Sequence, residues 1–339
     1  PFKFKRWEEN IKLVFRKNNE YFQKDSIGNS LPYLESVAIT FLQDKQSEFL
    51  QFIQENLDFV SGLDDSYKDE VVNTQGELKN EYINQINLIR GPYLNTEYLA
   101  FYLDSNKNEI KSEILRKAVN HGFDRNKMIK YLRNGIGIPA NGGFIPMGLP
   151  GYSDKIGYTY NPDYAKELIS QYKRDFKEVP SLKLTTTSNY LVFCEFIQKE
   201  LEKIGLQISI DVIPGASLKE AKANGKLDFF RASWVADYPD AENYLSLFYS
   251  KNFAPKGPNY THFTDKEFDA LYESAVGETN QNKTEILYKK MDSLIISRSI
   301  IVPLFYDEVI RFTRKNLNGM QINATNLLDL RYVKKLSNF

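Results

Sequence analysis

The chain has little of what enzymes commonly use. Its 339 residues include one cysteine, Cys194, and two histidines, His121 and His262. A single cysteine excludes an intramolecular disulfide and a thiolate-rich metal site, and two histidines supply little acid–base chemistry at neutral pH. The sequence patterns of nucleotide-binding loops, zinc proteases and serine hydrolases are absent as well. These absences favour a binding protein over an enzyme.

The chain also lacks net charge and long apolar runs. Its 44 Lys and Arg residues balance 44 Asp and Glu residues, and no block of like charges occurs. Nucleic acid and anionic membranes are therefore poor candidates for a partner. The apolar runs are only a few residues long, far short of the roughly 20 that cross a bilayer, so the sequence predicts no membrane-spanning helix. The length exceeds one typical domain, and we expect two lobes.

The most regular pattern predicts a β-strand, a helix and a second β-strand. Residues 182–186 and 206–212 alternate apolar and polar side chains, as half-buried strands do. Between them, a stripe that starts at Tyr190 predicts a helix ending at Gly205, with Cys194 as a core residue. Two strands joined by a helix pair in parallel, and ligands of such α/β sheets bind beyond the carboxyl ends of the strands.

Helix ends and one irregular segment are also readable. Asp124 and Asn161 are predicted to cap helices, and Thr264 with Glu267 predicts a capping box. The segment 134–152, which is rich in glycine and proline, has no periodicity. Long irregular segments in compact domains are usually functional or mobile.

The stretch "LDFFRASWVADYPDAENYL", residues 227–245, carries the candidate site. Arg231 and Asp237 lie in otherwise apolar and aromatic sequence. In an extended strand they share one face with Ser233 and are at most about 20 Å apart. This separation suits a short peptide, whose carboxylate would bind the arginine and whose α-ammonium would bind the aspartate. Together with Ser233 and Trp234, they are the predicted ligand-binding residues.

A structural interpretation competes with this one. Arg231 can form a structural ion pair, and residues 237–240, "DYPD", can form an Asx-type turn that caps the next helix. These residues taken alone favour the structural interpretation. A calcium site at Asp237, Asp240 and Glu242 lacks the glycine and the regular oxygen spacing of an EF-hand loop. We therefore predict no metal and no cofactor.

Several stretches together resemble the family 5 extracellular solute-binding proteins, which include the oligopeptide- and dipeptide-binding components of ABC importers. They occur in the family's order and include "LRKAVNHGFDRNKMI", "YNPDYAKELI", "RASWVADYPDAENYL" and "IIVPLFY". The resemblance covers nearly the whole chain. Family members usually have a longer chain ahead of "PFKFKRW", so we expect this sequence to be the carboxyl-terminal two-thirds of such a protein.

The resemblance implies an α/β, two-lobed, periplasmic-binding-protein-like clamp of the type II, large peptide-binding class. One lobe would contain residues 1–103 and 301–339, and the other residues 104–300 with the ligand-anchoring strand end. In oligopeptide-binding members, the residue matching Asp237 holds the peptide's α-ammonium and the residue matching Arg231 can hold a carboxylate. Ala241 replaces the usual proline after "DYPD".

The resemblance further implies a periplasmic or lipid-anchored monomer without enzymatic activity. It would capture short peptides and deliver them to an ABC permease in the inner membrane. Other family members bind nickel complexes, sugars or opines, so a non-peptide solute stays open. A second alternative is the ligand-sensing domain of a transcriptional regulator, and a third is a hydrolase, which only generic Asp, Glu and Ser residues support.

Overall fold

The computed structural model describes residues 1–42, 44–62 and 67–336. Helices and β-strands alternate through most of this part of the chain, as the sequence patterns predict. Among the described residues, no helix has both the length and the apolar character that crossing a membrane requires.

The chain divides into two compact units. The smaller unit contains Pro1–Tyr93 with Glu308–Phe339, and the larger unit contains Leu94–Asp307. Compared with the lobes expected from the sequence, the larger unit also takes in residues 94–103 and 301–307. The lobe assignment itself stays a prediction.

The first part of the smaller unit consists of short strands and helices and ends with a long strand that continues into the larger unit. They are β1 (Phe2–Glu8), β2 (Lys12–Lys17), β3 (Ser36–Thr40), α1 (Lys45–Ile53), β4 (Phe59–Ser61), α2 (Lys68–Val71) and β5 (Ile86–Phe101). Strands β1, β2 and β3 form an antiparallel sheet in that order. Strand β5 begins in the smaller unit and ends in the larger one.

Most helices of the described residues belong to the larger unit. From β5 onward the elements are α3 (Asn108–Lys111), α4 (Glu113–His121), α5 (Arg125–Leu132), β6 (Ile138–Pro139), α6 (Pro162–Phe176), β7 (Ser181–Thr186), α7 (Leu191–Glu202), β8 (Gln207–Val212), α8 (Gly215–Ala223), β9 (Phe229–Val235), α9 (Glu242–Leu245), α10 (Lys266–Val276), α11 (Gln281–Ser297) and β10 (Ile301–Arg314). Strand β10 returns to the smaller unit, where β4 pairs with it and the short strands β11 (Leu317–Asn318) and β12 (Lys334–Lys335) follow.

The central sheet of the larger unit follows the predicted strand–helix–strand pattern. Its strand order is β10–β5–β9–β7–β8, and β6 pairs with β10. Strand β7 is parallel to both β8 and β9, whereas β5 and β9 are antiparallel. Helix α7 joins β7 to β8, and Gly205 follows it with φ of +87°, a backbone conformation that glycine adopts readily. The predicted βαβ unit is confirmed.

One continuous apolar core lies beneath the helices of this unit. Residues from α4, α6 and α7 pack in it against the sheet strands, and Cys194 is among the fully buried ones. Burial raises the pKa of the Cys194 thiol to about 11. The prediction of Cys194 as a core residue is therefore confirmed.

Two of the three predicted helix caps form. Asp124 accepts hydrogen bonds from the backbone N–H groups at the start of α5, and Asn161 accepts one at the start of α6. The capping box predicted at Thr264 and Glu267 is wrong, because Asp265 caps α10 instead and accepts from the backbone N–H of Glu267. The Asp265 carboxylate satisfies the otherwise unpaired N–H groups of Glu267 and Phe268.

A buried carboxylate holds the irregular segment 134–152. The carboxylate of Asp292, on α11, accepts hydrogen bonds from the backbone N–H of Phe144 at 2.7 Å and of Ile145 at 3.2 Å. Asp292 is fully buried, and this burial raises its pKa to about 7. A Cβ atom at Gly143 would collide with the same carboxylate, so glycine is required there.

Candidate functional site

Antiparallel pairing of β5 with β9 brings Glu97 close to Arg231, whose charge it neutralises. In the register of these strands, Arg231 lies opposite Leu99 and Ser233 lies opposite Glu97. Side chains of directly opposed residues emerge on the same face, and alternate residues of a strand share that face. Glu97 and Arg231 are therefore diagonal neighbours on one face of the sheet, within the larger unit.

Arg231 and Glu97 form a buried ion pair. Arg231 Nη2 lies 2.5 Å from Glu97 Oε2, and their side chains are 14% and 3% exposed. The other oxygen, Oε1, accepts hydrogen bonds from Asn95 Nδ2 at 3.0 Å and from Tyr190 Oη at 3.2 Å. Burial raises the pKa of Glu97, and the charge of Arg231 opposes that rise. The ion pair named by the structural interpretation is thus present.

Glu97 was missed by the sequence analysis, although a signal for it exists. It is the single carboxylate in the strongly β-prone run "YLNTEYLAFYL". A charged residue in a buried strand needs a partner for the same reason that Arg231 does. Two such isolated charges of opposite sign in two strands would have suggested a pair.

The ring of Tyr190 covers the guanidinium group. Arg231 Cζ lies 3.4 Å from the centroid of the Tyr190 ring, a cation–π contact. The prediction that Tyr190 starts the buried stripe of a helix is wrong, because Tyr190 ends a 3-10 turn just before α7 and is only half-buried. The ring packs against the edge of the apolar core and also covers Arg231.

Arg231 retains a donor that the protein does not satisfy. Of its nitrogens, Nη2 bonds to Glu97, whereas Nε is buried and has no hydrogen-bond partner among the described residues. Buried donors without a partner are rare in folded proteins, because each one loses its bonds to water. Arg231 therefore keeps an unsatisfied donor, to which an anionic or carbonyl acceptor would be complementary.

Of the other predicted site residues, Asp237 and Trp234 do not lie on the face of Arg231. Strand β9 ends at Val235, so Asp237 lies beyond it, in a bend, and the expected shared face does not reach it. Trp234 alternates to the opposite face of the sheet, where its Nε1–H donates to Asn243 Oδ1 at 2.8 Å. The backbone N–H of Asp237 donates to the same oxygen at 3.1 Å. Asn243, which the sequence analysis missed, thus fixes both residues.

The carboxylate of Asp237 is exposed. Asn243 Nδ2 approaches its Oδ2 at 3.4 Å, a long hydrogen bond, and no ion pair within 4.0 Å involves Asp237 in the described part of the chain. An ionised carboxylate has about four acceptor positions, so most of them are free here. Ser233 is half-buried on the face opposite to Trp234, facing Glu97 across the strands.

An Asx turn forms, but it begins at Asp240 instead of spanning the predicted residues 237–240, and the N-cap of α9 is Ala241, which makes no side-chain capping bond. Asp240 Oδ1 accepts from the backbone N–H of Glu242 at 2.8 Å and also from Tyr288 Oη at 2.8 Å. Glu242 in turn accepts hydrogen bonds from two tyrosine hydroxyl groups. Within residues 1–42, 44–62 and 67–336, no three His, Cys, Asp or Glu side chains are grouped as a metal site would need.

Comparison with known proteins gives consistent results. A family model described as "Bacterial extracellular solute-binding proteins, family 5 Middle" matches residues 1–256. The dipeptide-binding protein DppE of Bacillus subtilis is 21% identical over 99% of this chain and 60% of its own length. The chain therefore spans about three-fifths of this curated relative.

Solved structures share the fold at low sequence identity. The periplasmic binding protein DppA of Helicobacter pylori, in complex with the peptide STSA, matches 99% of this chain and 63% of its own with a TM-score of 0.78 and 24% identity. NikA of Brucella suis, in complex with Fe(III)-EDTA, matches 99% of this chain and 68% of its own with a TM-score of 0.83 and 17% identity. The predicted α/β fold of the periplasmic-binding-protein type is confirmed.

Proposed function

Since this chain belongs to the bacterial extracellular solute-binding proteins, family 5, we propose that it captures short peptides outside the cytoplasm and delivers them to an ABC permease. The observation that supports a peptide ligand is that two opposite charges near the end of β9 are not fully satisfied by the protein. Arg231 keeps a buried, unpartnered Nε, and Asp237 keeps an exposed carboxylate. A zwitterionic peptide has complementary groups at its two ends.

At one end of the proposed site, Arg231 binds the carboxylate of the peptide. Its guanidinium group is held by Glu97 on one side and by the Tyr190 ring on a face, so little side-chain freedom is lost when a ligand binds. The ion pair with Glu97 does not compete with this role, because Arg231 has five N–H donors and Glu97 occupies only part of them. The same pair thus serves as a structural contact and as the support of the ligand-binding group.

At the other end of the proposed site, Asp237 binds the α-ammonium group of the peptide. Asn243 holds the backbone of Asp237 in position, and the exposed carboxylate of Asp237 lies two residues beyond the end of β9. Charge-assisted hydrogen bonds to such a group are worth about 1.5–3 kcal/mol. The protein carries out no covalent chemistry in this proposal; it acts as an extracytoplasmic monomer that is periplasmic or lipid-anchored.

The ligand class is tested first by thermal unfolding of the complete native protein. Pools of dipeptides to pentapeptides are compared with sugars, opines and metal chelates. A ligand at a hundred times its dissociation constant adds about 2.7 kcal/mol to the free energy of unfolding, which raises the melting temperature by several degrees. A shift with peptide pools supports the proposal, and shifts with non-peptide solutes alone refute the peptide assignment.

The α-ammonium role of Asp237 is tested by replacing it with asparagine. Asp237→Asn should weaken peptides with a free amino terminus by about 10- to 100-fold and N-acetylated peptides far less, because only the former lose an ion pair. Calorimetric titration gives both affinities. Asp163→Asn, which removes an exposed carboxylate at the start of α6, is the control. Equal losses for free and acetylated peptides would remove Asp237 from this role.

A further inference from the structure

The sheet of β1, β2 and β3 in the smaller unit has one apolar face. Residues that lie directly opposite one another in paired strands emerge on the same face, and so do alternate residues of one strand. The apolar sheet face consists of two rows that cross the strands: Phe4, Phe15 and Val37 form one row, and Trp7, Leu13 and Ile39 form the other. The opposite face carries mainly polar residues, including Lys3, Arg6 and Lys12.

A β-bulge in β1 brings Phe4 and Trp7 to the same face. These residues are three positions apart, and in a regular strand such residues point to opposite faces. The register shifts after Phe4, which makes Lys5 an extra residue. The two aromatic residues therefore lie opposite Phe15 and Leu13, which are alternate residues of β2. Without this irregularity, Trp7 would lie on the polar face.

The described residues leave the apolar sheet face largely uncovered. Phe4, Trp7 and Ile39 are 65%, 63% and 41% exposed, and the other three side chains of the face are half-buried. Antiparallel sheets commonly pack their apolar face on a core and expose the polar one. A contiguous apolar patch on a protein surface is typical of a contact surface. The face therefore has the character of a surface that another segment or molecule covers.

The chain enters the smaller unit at this face. Strand β1 begins at Phe2, and Pro1 and Phe2 line a cavity of about 610 Å³ together with Leu328 and several side chains of the apolar sheet face. Residues ahead of Pro1 therefore start at the rim of the face. A segment tethered there has a high effective concentration at the face, which favours it over a separate protein.

We propose that the apolar sheet face is the docking surface for a segment of the same polypeptide ahead of Pro1, which covers Phe4 and Trp7 with its own apolar side chains. Neither row of the face contains a charged group, so the contact is apolar and lacks the charge complementarity that steers separate proteins together. The chain spans 60% of the length of DppE of Bacillus subtilis, so a protein of that length has room for such a segment. This docking is independent of the ligand that the larger unit binds.

Photo-crosslinking in the complete native protein tests what covers the face. The photoreactive aromatic amino acid p-benzoylphenylalanine replaces Phe4 or Trp7, and mass spectrometry identifies the residues to which it attaches. Both positions should attach to residues ahead of Pro1 in the same molecule. Lys12 on the opposite face, replaced in the same way, is the matched control and should give about tenfold less of this product, because the label attaches only to groups in contact with it. Attachment to a second copy, to another protein or only to residues 1–339, or no attachment, overturns the proposal.

A second measurement needs no variant. Hydroxyl-radical oxidation followed by peptide mapping compares the reaction rate of each side chain in the native complete protein with its rate in denaturant. Trp7 should react at least about tenfold more slowly in the native protein, although it is 63% exposed within residues 1–339. Tyr131, which is 59% exposed on α5 of the larger unit, is the control and should change by less than about threefold. Protection of Trp7 by less than about threefold overturns the proposal, whichever ligand the protein binds.

Discussion

Replacing Asp292 by asparagine should remove a pH dependence of stability that this buried carboxylate causes. Its side chain is fully buried and accepts two backbone hydrogen bonds from the segment 134–152. Those bonds favour the ionised carboxylate, but burial has the larger effect, and the pKa rises from 3.8 to about 7. The native state therefore holds a proton that the unfolded state has already lost between about pH 4 and pH 7.

The sign and the magnitude follow from proton linkage. Stability falls as the pH rises wherever the native state binds more protons than the unfolded state. At 1.36 kcal/mol for each pKa unit, this carboxyl group should lower the free energy of unfolding by about 2–3 kcal/mol between pH 5 and pH 8. Asparagine does not titrate, so Asp292→Asn should lose that much less stability over the same range.

Urea unfolding monitored by Trp234 fluorescence measures this effect in the larger unit. A Trp7→Phe background removes the fluorescence of the smaller unit and replaces a residue that is 63% exposed. Asp292→Asn also has a constant cost of about 1–3 kcal/mol, because its amide nitrogen cannot accept the second backbone N–H. Asp163→Asn controls for loss of an exposed carboxylate. Parallel stability curves for Asp292→Asn and its parent from pH 5 to pH 8 would refute the reasoning.

Two further perturbations test the surroundings of the site. Glu97→Ala should lower the free energy of unfolding by about 3–5 kcal/mol, because it leaves the buried charge of Arg231 without its partner. Denaturant titration measures this loss, with Glu195→Ala, at an exposed position, as the control. A loss below about 1 kcal/mol would contradict a buried ion pair. Cys194, with a pKa raised to about 11, should react with a thiol reagent at pH 8 only in denaturant, and rapid reaction of the native protein would contradict its burial.

The local elements of the fold were readable from the sequence because they depend on short-range patterns. The strand–helix–strand unit from β7 to β8, the caps at Asp124 and Asn161, and the burial of Cys194 each follow from periodicity or from a capping side chain. The cap of α10 shows the limit of such patterns. Thr264 and Asp265 are both suitable caps, and the backbone conformation at Asp265 decides between them.

The candidate site was readable only in part. Arg231 stood out as a charge in a strand, yet its partner is 134 residues away in the chain, on a strand whose neighbour the sequence does not specify. Asp237 stood out too, but its separation from the face of Arg231 depends on where β9 ends. Tyr190 was placed inside the helix because a 3-10 turn that leads into a helix continues nearly the same spacing over a few residues.

By itself, the sequence determined the kind of protein: an α/β chain, balanced in charge and poor in catalytic side chains, with two opposite charges near one strand end. Only the tertiary structure decided which groups meet those charges. The pairing of β5 with β9 brings Glu97 to Arg231, and the end of β9 at Val235 leaves Asp237 exposed beside Asn243. Periodicity reflects contacts along a few residues, whereas ion pairs between strands and the burial of a charge depend on segments far apart in the chain.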